Sequence, residues 1–348
     1  MFTIDLQVKN TCSHYITTTR LLSLVTTLML LFSCNSNQLD VNIDNIKVQT
    51  ELIQVDALLR TTDSLDLRNN HDKLVEELGF LYSYELEMNL QSPLDSNVYT
   101  KTNQFYSSEY IQELEKEKEL LFTTFEEKHA QVNTAFRYLN YHFPSAQYPK
   151  KLVLMNKLFS GIKANDSVLT IAGENYLDPL LPVIKNLPGD QLYQWQKDAM
   201  KIEFLPRDVL QFWIQAKLFK DMDENLVNHI IQAGKVMYVL HASFPKESVA
   251  YALRYSNDEY SWAEENELAF WEYLVKEELL FKNNLRDKAN ILNEGPYTVG
   301  LPEEGPDRLG QYLGFKMVSN YMASNKDLSL QELIALDYNT ILQAYEID

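Results

Sequence analysis

The sequence predicts an α+β fold that is mostly helical, with one small β-sheet near its middle. Three observations predict it. Long stretches on both sides of the centre carry apolar residues at helical spacing, two short Val/Leu/Ile-rich runs lie between them, and Pro, Gly, Asn and Asp mark the boundaries. From Val41 to Val55 (VNIDNIKVQTELIQV) apolar and polar residues partly alternate, which predicts a leading segment with strand character. Leu74–Met88 and Glu109–Tyr141 have helical periodicity. In the second, Leu114, Phe122, Phe125 and Val132 share one broad face, and the run Glu115-Lys116-Glu117-Lys118-Glu119 supplies a solvated one. Phe143-Pro144 ends that region.

Lys151–Phe159 (KLVLMNKLF) and Ser167–Ile171 (SVLTI) are expected to be two strands joined by a turn of Gly, Asn and Asp. Everything after Pro179 has helical texture again. Pro206 opens a helix through Phe219 with Val209, Leu210, Trp213 and Ile214 facing inward. Asp223 is placed to cap a second helix running to about Ala242. Ser256-Asn257-Asp258-Glu259 forms a capping box for a third, continuing to Phe281. Asn293–Asp307 is a row of turns, and Arg308–Met322 forms the last long helix. Its Gly310 and Gly314, four apart on one face, let another element approach closely.

The first forty residues have a different character. Leu21–Phe32 (LLSLVTTLMLLF) is an apolar run of the length of a signal-peptide core, well short of the ~20 residues that cross a bilayer. It ends in Leu31-Phe32-Ser33-Cys34, the pattern of a lipobox. A thiol is needed to carry the lipid, a small residue is needed before the cut, and cleavage frees an amino group on Cys34 for acylation. The expected organisation is therefore a lipoprotein signal peptide over 1–33, a lipidated tether over 34–45 and a single domain over 46–348. Diacylglycerol and an N-acyl group on Cys34 would be the covalent lipid, and no other cofactor is expected. The positive region before the run is thin, with Lys9 and Arg20 only, which fits either a start further downstream or a long leader.

The formal net charge is −18, and removal of the leader makes it one unit more negative. That acidity argues against nucleic acid, or an anionic membrane surface, as the direct partner. Cys12 leaves with the leader and Cys34 takes the lipid, so no thiol remains for a disulfide or a thiolate metal site. With 45% apolar residues, including 21 Tyr and 16 Phe, the fold can hold by core packing.

The residues form no recognisable catalytic pattern. His71, His129, His142, His229 and His241 include no two at three to five residues apart. His229 and His241 share a helix but point roughly 120° apart at 3.6 residues per turn. There is no H-E-x-x-H, no G-x-S-x-G and no phosphate-cradling glycine motif. Glu174 and Asp178 follow the second strand at a place where a cleft could open, although a turn and cap role fits them better. No catalytic residue and no metal ligand is assigned.

An ordered set of stretches resembles the gliding motility lipoprotein GldB family. The set comprises Val41–Val55 after the lipobox, Tyr148-Pro149-Lys150-Lys151-Leu152-Val153, and Leu226–Tyr238. It continues with Tyr255–Glu259, Asn266-Glu267 and Trp271, then Gly305–Gly310 with Gly314. Together they cover nearly the whole mature protein. The family in turn is similar to zinc peptidases, so the resemblance implies a degenerate zincin-like helical domain. The helix at the histidine-bearing position would be Pro206–Phe219, reading Trp213-Ile214-Gln215 without histidine, and the third ligand would fall at Ala233. A protein lacking those ligands would be a pseudo-peptidase, a cleft-bearing scaffold rather than an enzyme.

What the resemblance implies is an outer-membrane lipoprotein, facing the periplasm, that takes part in gliding motility and the associated type IX secretion by binding other proteins of that machinery. Gly234, Lys235 and Tyr238 are expected on one wall of the binding cleft, near the Asn293–Asp307 loop, with Trp271 and Arg308 as support or contact residues. A hydrolase of the peptidase-like fold using Glu174 or His241, and a periplasmic ligand-binding lipoprotein, stand as the alternatives. The anchor gives a direct test. Cys34→Ser should leave an intact domain that moves from the membrane to the soluble fraction on cell fractionation, and retention in the membrane with unchanged processing would refute it.

Overall fold

The computed structural model describes residues 37–189, 191–220 and 224–346. The expected signal peptide, Cys34 and Asp223 lie outside them. The described residues from Val41 onward form one compact unit. Its first half runs β1 (Glu51–Gln54), α1 (Val55–Leu59), α2 (Ser64–Leu78), α3 (Phe80–Leu90), α4 (Val98–Ser107), α5 (Glu109–Leu120) and α6 (Phe122–His142). The sheet is completed by β2 (Lys151–Met155), β3 (Lys163–Ala164) and β4 (Val168–Ala172). Then come α7 (Pro182–Lys185), α8 (Gln194–Asp198), α9 (Leu205–Leu218), α10 (Leu226–Ser243), α11 (Val249–Leu253), α12 (Asn257–Glu265) and α13 (Glu267–Lys276). The last helices are α14 (Leu285–Leu292), α15 (Leu309–Ser324), α16 (Leu330–Ala335) and α17 (Tyr338–Gln343). The fold is α+β and mostly helical, as the periodicity predicts.

The sheet order is β1-β2-β4-β3. β1, β2 and β4 run parallel, with Leu52 beside Leu152 and Leu152 beside Leu169. This corrects the expectation of a pair joined by one turn. The two apolar runs are parallel neighbours, and the hairpin is instead β3–β4, turning over Asn165–Ser167. The physical reason is visible in burial. Leu152–Met155 and every residue of β4 are buried, the continuous apolar pattern of strands covered on both faces rather than the alternation of a half-exposed hairpin.

Several helices are shorter than their periodicity suggests. Gly79, at φ 63°, separates α2 from α3; Leu121 separates α5 from α6; Asn266 separates α12 from α13. The cap of α10 is Asn225, whose side chain accepts from Asn228 N. Ser256 and Glu259 make the reciprocal capping box of α12, as expected. Glu115 and Lys118 overturn the solvated face assigned to their charge run: both are buried, on the side of α5 that meets the strand ends.

Helix α10 is the axis of the second half, buried along most of its length against α6, α9 and α15. Beside it, Trp213 of α9 stacks on Tyr148 with centroids 4.8 Å apart and meets the edge of Phe136. Gly234 of α10 lies against the backbone of Gly314 of α15, and a Cβ on either would enter the other helix's backbone. Gly310 gives the same closeness to α14, where a Cβ would stand 2.6 Å from Ile291 Cγ2. Backbone is the obstacle at the first crossing, so relief requires the helices to separate. Gly314→Ala should therefore lower stability by about 1–3 kcal/mol or more in urea denaturation. Gly161→Ala, with no atom near its Cβ position, should stay within about 0.5 kcal/mol of the parent.

Candidate functional site

The C-terminal ends of the parallel strands carry a buried polar cluster. Asp56 follows β1 and accepts from Asn156 N at 3.0 and 2.8 Å, from Tyr106 Oη at 2.7 Å and from Lys118 Nζ at 2.8 Å. Lys118 also pairs with Glu115 at 2.6 Å. Burial pulls the lysine pKa down, but Asp56, Glu115 and Glu174 outweigh it and raise it. Glu174, fully buried after β4, takes the backbone N–H groups of Lys157 and Phe159 on Oε1 at 2.7 and 3.1 Å. Burial raises its pKa. These bonds hold Leu158 and Phe159 in left-handed conformations, at φ 49° and 64°. Asp178 supports a turn, accepting from Leu180 N.

Beyond this edge, two adjoining depressions of about 260 and 500 Å³ share Trp195, Ala199, Arg254 and Glu294 in their walls. The sheet side contributes Phe159 and Tyr176, and α8 contributes Trp195. Tyr255 and Ser256, just before α12, line the larger one together with Glu294, Asp307 and Arg308 of the loop preceding α15. Behind the wall, Arg207 is buried on the first turn of α9. Its Nε donates to Ala252 O at 2.9 Å and its Nη1 to Asp208 at 2.8 Å and to Gln211. Asp208 in turn accepts from Tyr176 Oη at 3.2 Å and faces Arg254 Nε at 3.3 Å.

Arg254 donates from Nη2 to Ala199 O at 2.8 Å and lies 5.0 Å over the Phe204 ring. Arg308 donates from Nε to Asp307 at 2.9 Å and stands 3.5 Å from Glu294. Burial raises the Asp307 pKa, against the pull of Arg308. Both arginines occupy left-handed backbone, at φ 62° and 54°. With Phe159, they make three of the six non-glycine residues with positive φ among the described residues. Such backbone costs about 1–3 kcal/mol per residue and persists where the surroundings enforce it. Here Thr298 enforces it for Arg308: its N and Oγ1 donate to Pro306 O, and Oγ1 accepts from Leu309 N at the start of α15. Chemically, the cleft presents guanidinium N–H groups, suited to oxyanions, beside aromatic faces.

A family model described as gliding motility protein GldB matches residues 36–346. The chain belongs to the GldB family. Membership brings a role in gliding motility, within a machinery of several proteins, and fits a membrane-anchored envelope protein. No curated protein and no solved structure matches it. Among the described residues, no helix is long and apolar enough to cross a membrane, and no group of three or more His, Cys, Asp or Glu side chains could hold a metal ion.

The residues that the GldB resemblance singles out are dispersed in the structure. Arg308 lines the cleft. Gly234 packs against Gly314, and Lys235 donates to Leu336 O at 2.5 Å in a separate depression between α10 and α16. The Tyr238 ring lies 6.1 Å from Phe315, and Trp271 meets Tyr345 edge-on. His241 also meets Phe315, and burial lowers its pKa. Gln215 and Ala233, positions of the peptidase comparison, line a further depression with His229. Arg207, Asp208, Arg254 and Trp195 are not singled out by the sequence. A signal existed for one of them, because Arg207 stands three residues before Leu210 and seven before Ile214, at the edge of the inward face of its helix.

The buried edge yields a pH test. Glu115 is pushed up from 4.5 to about 7, by burial first and by Asp56 second, and Lys118 offsets only part of this. A raised carboxyl pKa favours the fold fully below the unfolded value, and that contribution is lost as pH rises through about 7. The stability of Glu115→Gln relative to the parent should therefore rise between about pH 4.5 and 8, measured by urea denaturation at both ends. A difference independent of pH would contradict this.

Proposed function

We propose that this GldB-family protein is a non-enzymatic lipoprotein of the outer membrane that binds another protein of the gliding machinery and of its associated type IX secretion. The arginine-bearing cleft is its binding face. The observation that carries this reading is the cleft itself, whose walls hold Arg254 at the left-handed end of α11 and Arg308 on left-handed backbone enforced by Thr298. Residues kept in such conformations gather where binding geometry has to be fixed in advance. The placement of Glu174 supports the same reading. Its Oε1 is taken by two backbone N–H groups and its carboxyl is fully buried, which makes it a loop anchor rather than an exposed acid or base.

In this reading the lipid on Cys34 keeps the domain at the membrane and the domain supplies recognition. The test is crosslinking of the lipidated protein in intact envelopes, followed by its capture. Recovery of a motility or secretion component, reduced when Trp195→Ala alters the cleft wall, is expected. Equal recovery from a strain lacking the protein would refute the proposal.

A further inference from the structure

The inner wall of the cleft and the layer behind it hold more guanidinium than carboxylate groups largely shielded from solvent. Arg207, Arg254 and Arg308 have side chains 1%, 12% and 7% exposed, and the carboxylates among them, Asp208 and Asp307, are 18% and 13% exposed. Three guanidinium groups thus share two carboxylates, in a protein whose net charge is −18. A charge held away from water without an equal partner is destabilising, so such an excess calls for an anion. The remaining acids of the wall do not fill this need from within, and Glu203 among them is exposed with no ion pair to these arginines. Asp198 accepts from Gln194, and Glu259 is engaged by Ser256 N in the capping box.

Glu294 comes closest to filling it. Its side chain is 57% exposed and reaches Arg308 Nη1 only at 3.5 Å, a long and solvent-screened contact. The inner donors remain available. Among the described residues, protein atoms take Nη2 of Arg254 and Nε and, at 3.5 Å, Nη1 of Arg308. Nη1 of Arg254 and Nη2 of Arg308 have no protein hydrogen-bond acceptor, and Nε of Arg254 faces Asp208 at 3.3 Å without a hydrogen bond. Trp195, Phe204 and Tyr255 provide aromatic surface beside these donors.

We infer that the cleft recognises a carboxylate on a peptide segment of the partner, which displaces Glu294 and is held by Arg254 and Arg308 beside Trp195. A carboxylate suits the site because Glu294 already presents one to Arg308, and because its two oxygens match the parallel N–H pair of a guanidinium. The peptide nature of the ligand rests on the proposed partner-binding role. The carboxylate itself is supplied by a free peptide C-terminus or by an Asp or Glu side chain.

The experiment uses the full lipidated protein in detergent and unlabelled N-acetylated peptides, read by isothermal titration calorimetry. Three probes share a Gly-Gly-Phe start: Gly-Gly-Phe-Phe with a free C-terminus, the same peptide amidated, and amidated Gly-Gly-Phe-Asp. At least one carboxylate probe should bind at least ~10-fold tighter than the neutral amide, and which one does so identifies the source. Arg254→Gln and Arg308→Gln should each lose ~10-fold or more, whereas Arg286→Gln, an exposed arginine of α14, should change nothing. Glu294→Gln should bind severalfold tighter, since it removes the internal competitor.

Equal binding of acid and amide, or no saturable binding of either acidic probe, would overturn the inference. So would unchanged affinity in arginine variants that melt like the parent. Inorganic phosphate that displaces the peptide where acetate does not would also overturn it, in favour of a phosphate site. If the arginine variants fail to fold, Glu294→Gln decides, because this exposed residue can be changed without touching the core: tighter binding supports the site, and unchanged or weaker binding defeats it. Recovery of a partner from envelopes without carboxylate preference would defeat this inference alone, whereas carboxylate-dependent binding without any recovered component would defeat the proposed cellular role alone.

Discussion

The carboxylate of Asp56 is the constraint on which the rest of the structure depends. It is 4% exposed at the end of β1, and it gathers a backbone N–H from the end of β2, a tyrosine hydroxyl from α4 and an ammonium from α5. A carboxylate removed from water is tolerated only when its lone pairs are filled, and here four donor contacts from three elements fill them. Removing any donor strands a buried charge, so the strand ends and the two helices are fixed together. The backbone leaving β2 can then go only where Asn156 points it. Glu174 fixes the next three residues through two backbone N–H groups, and Lys157 turns inward to Glu85 and Thr170. The strained Leu158–Phe159 step that reaches the cleft is a consequence of this anchoring.

The far side of the cleft is fixed by a different kind of contact. Gly234 and Gly314 bring α10 and α15 to backbone contact, which sets where α15 begins and hence where Arg308 stands. Thr298 then supplies the bonds that a left-handed residue at the start of a helix cannot make for itself. One wall of the cleft thus rests on a buried ion network and the other on the absence of two side chains. Both are rigid supports, the condition for presenting charged groups in a fixed geometry without losing binding energy to reordering.

Much of the helical architecture was legible because periodicity and capping are local. Val209, Leu210, Trp213 and Ile214 are buried as their spacing requires, and the Ser256–Glu259 box forms as written. Gly310 and Gly314 announced a close crossing, although not its partner. What local pattern could not carry was pairing. The two apolar runs are strands, but their parallel relation depends on β3 folding down the outer edge, which two residues of sequence do not signal. Nor could the alternating run around Glu115 disclose that two of its charges face inward, because the partner that makes their burial tolerable, Asp56, lies far away in sequence on another element. The cleft was hidden for the same reason. Its arginines come from three separate helix ends, and the resemblance pointed to α10, where Gly234 and Lys235 are engaged in packing and in a bond to Leu336.

The positions of those arginines also bear on why the protein keeps them. Glycine would relieve the left-handed backbone at 254 and 308, where any side chain costs about 1 kcal/mol or more. Part of what opposes that relief is structural, since Arg254 ties Ala199 to Asp208 and Arg308 neutralises Asp307. Asp208 and Asp307 would need only two cations between them, and Arg207 already serves Asp208 directly. The second guanidinium at Asp208 exceeds what neutrality demands and adds repulsion to a buried site, where Arg254 and Arg308 both press on the charge of Arg207. A fold optimised for its own stability would not add a third, half-buried cation there. The excess charge and the two left-handed residues converge on the same cleft, the pattern expected where a cost is carried for binding rather than for folding.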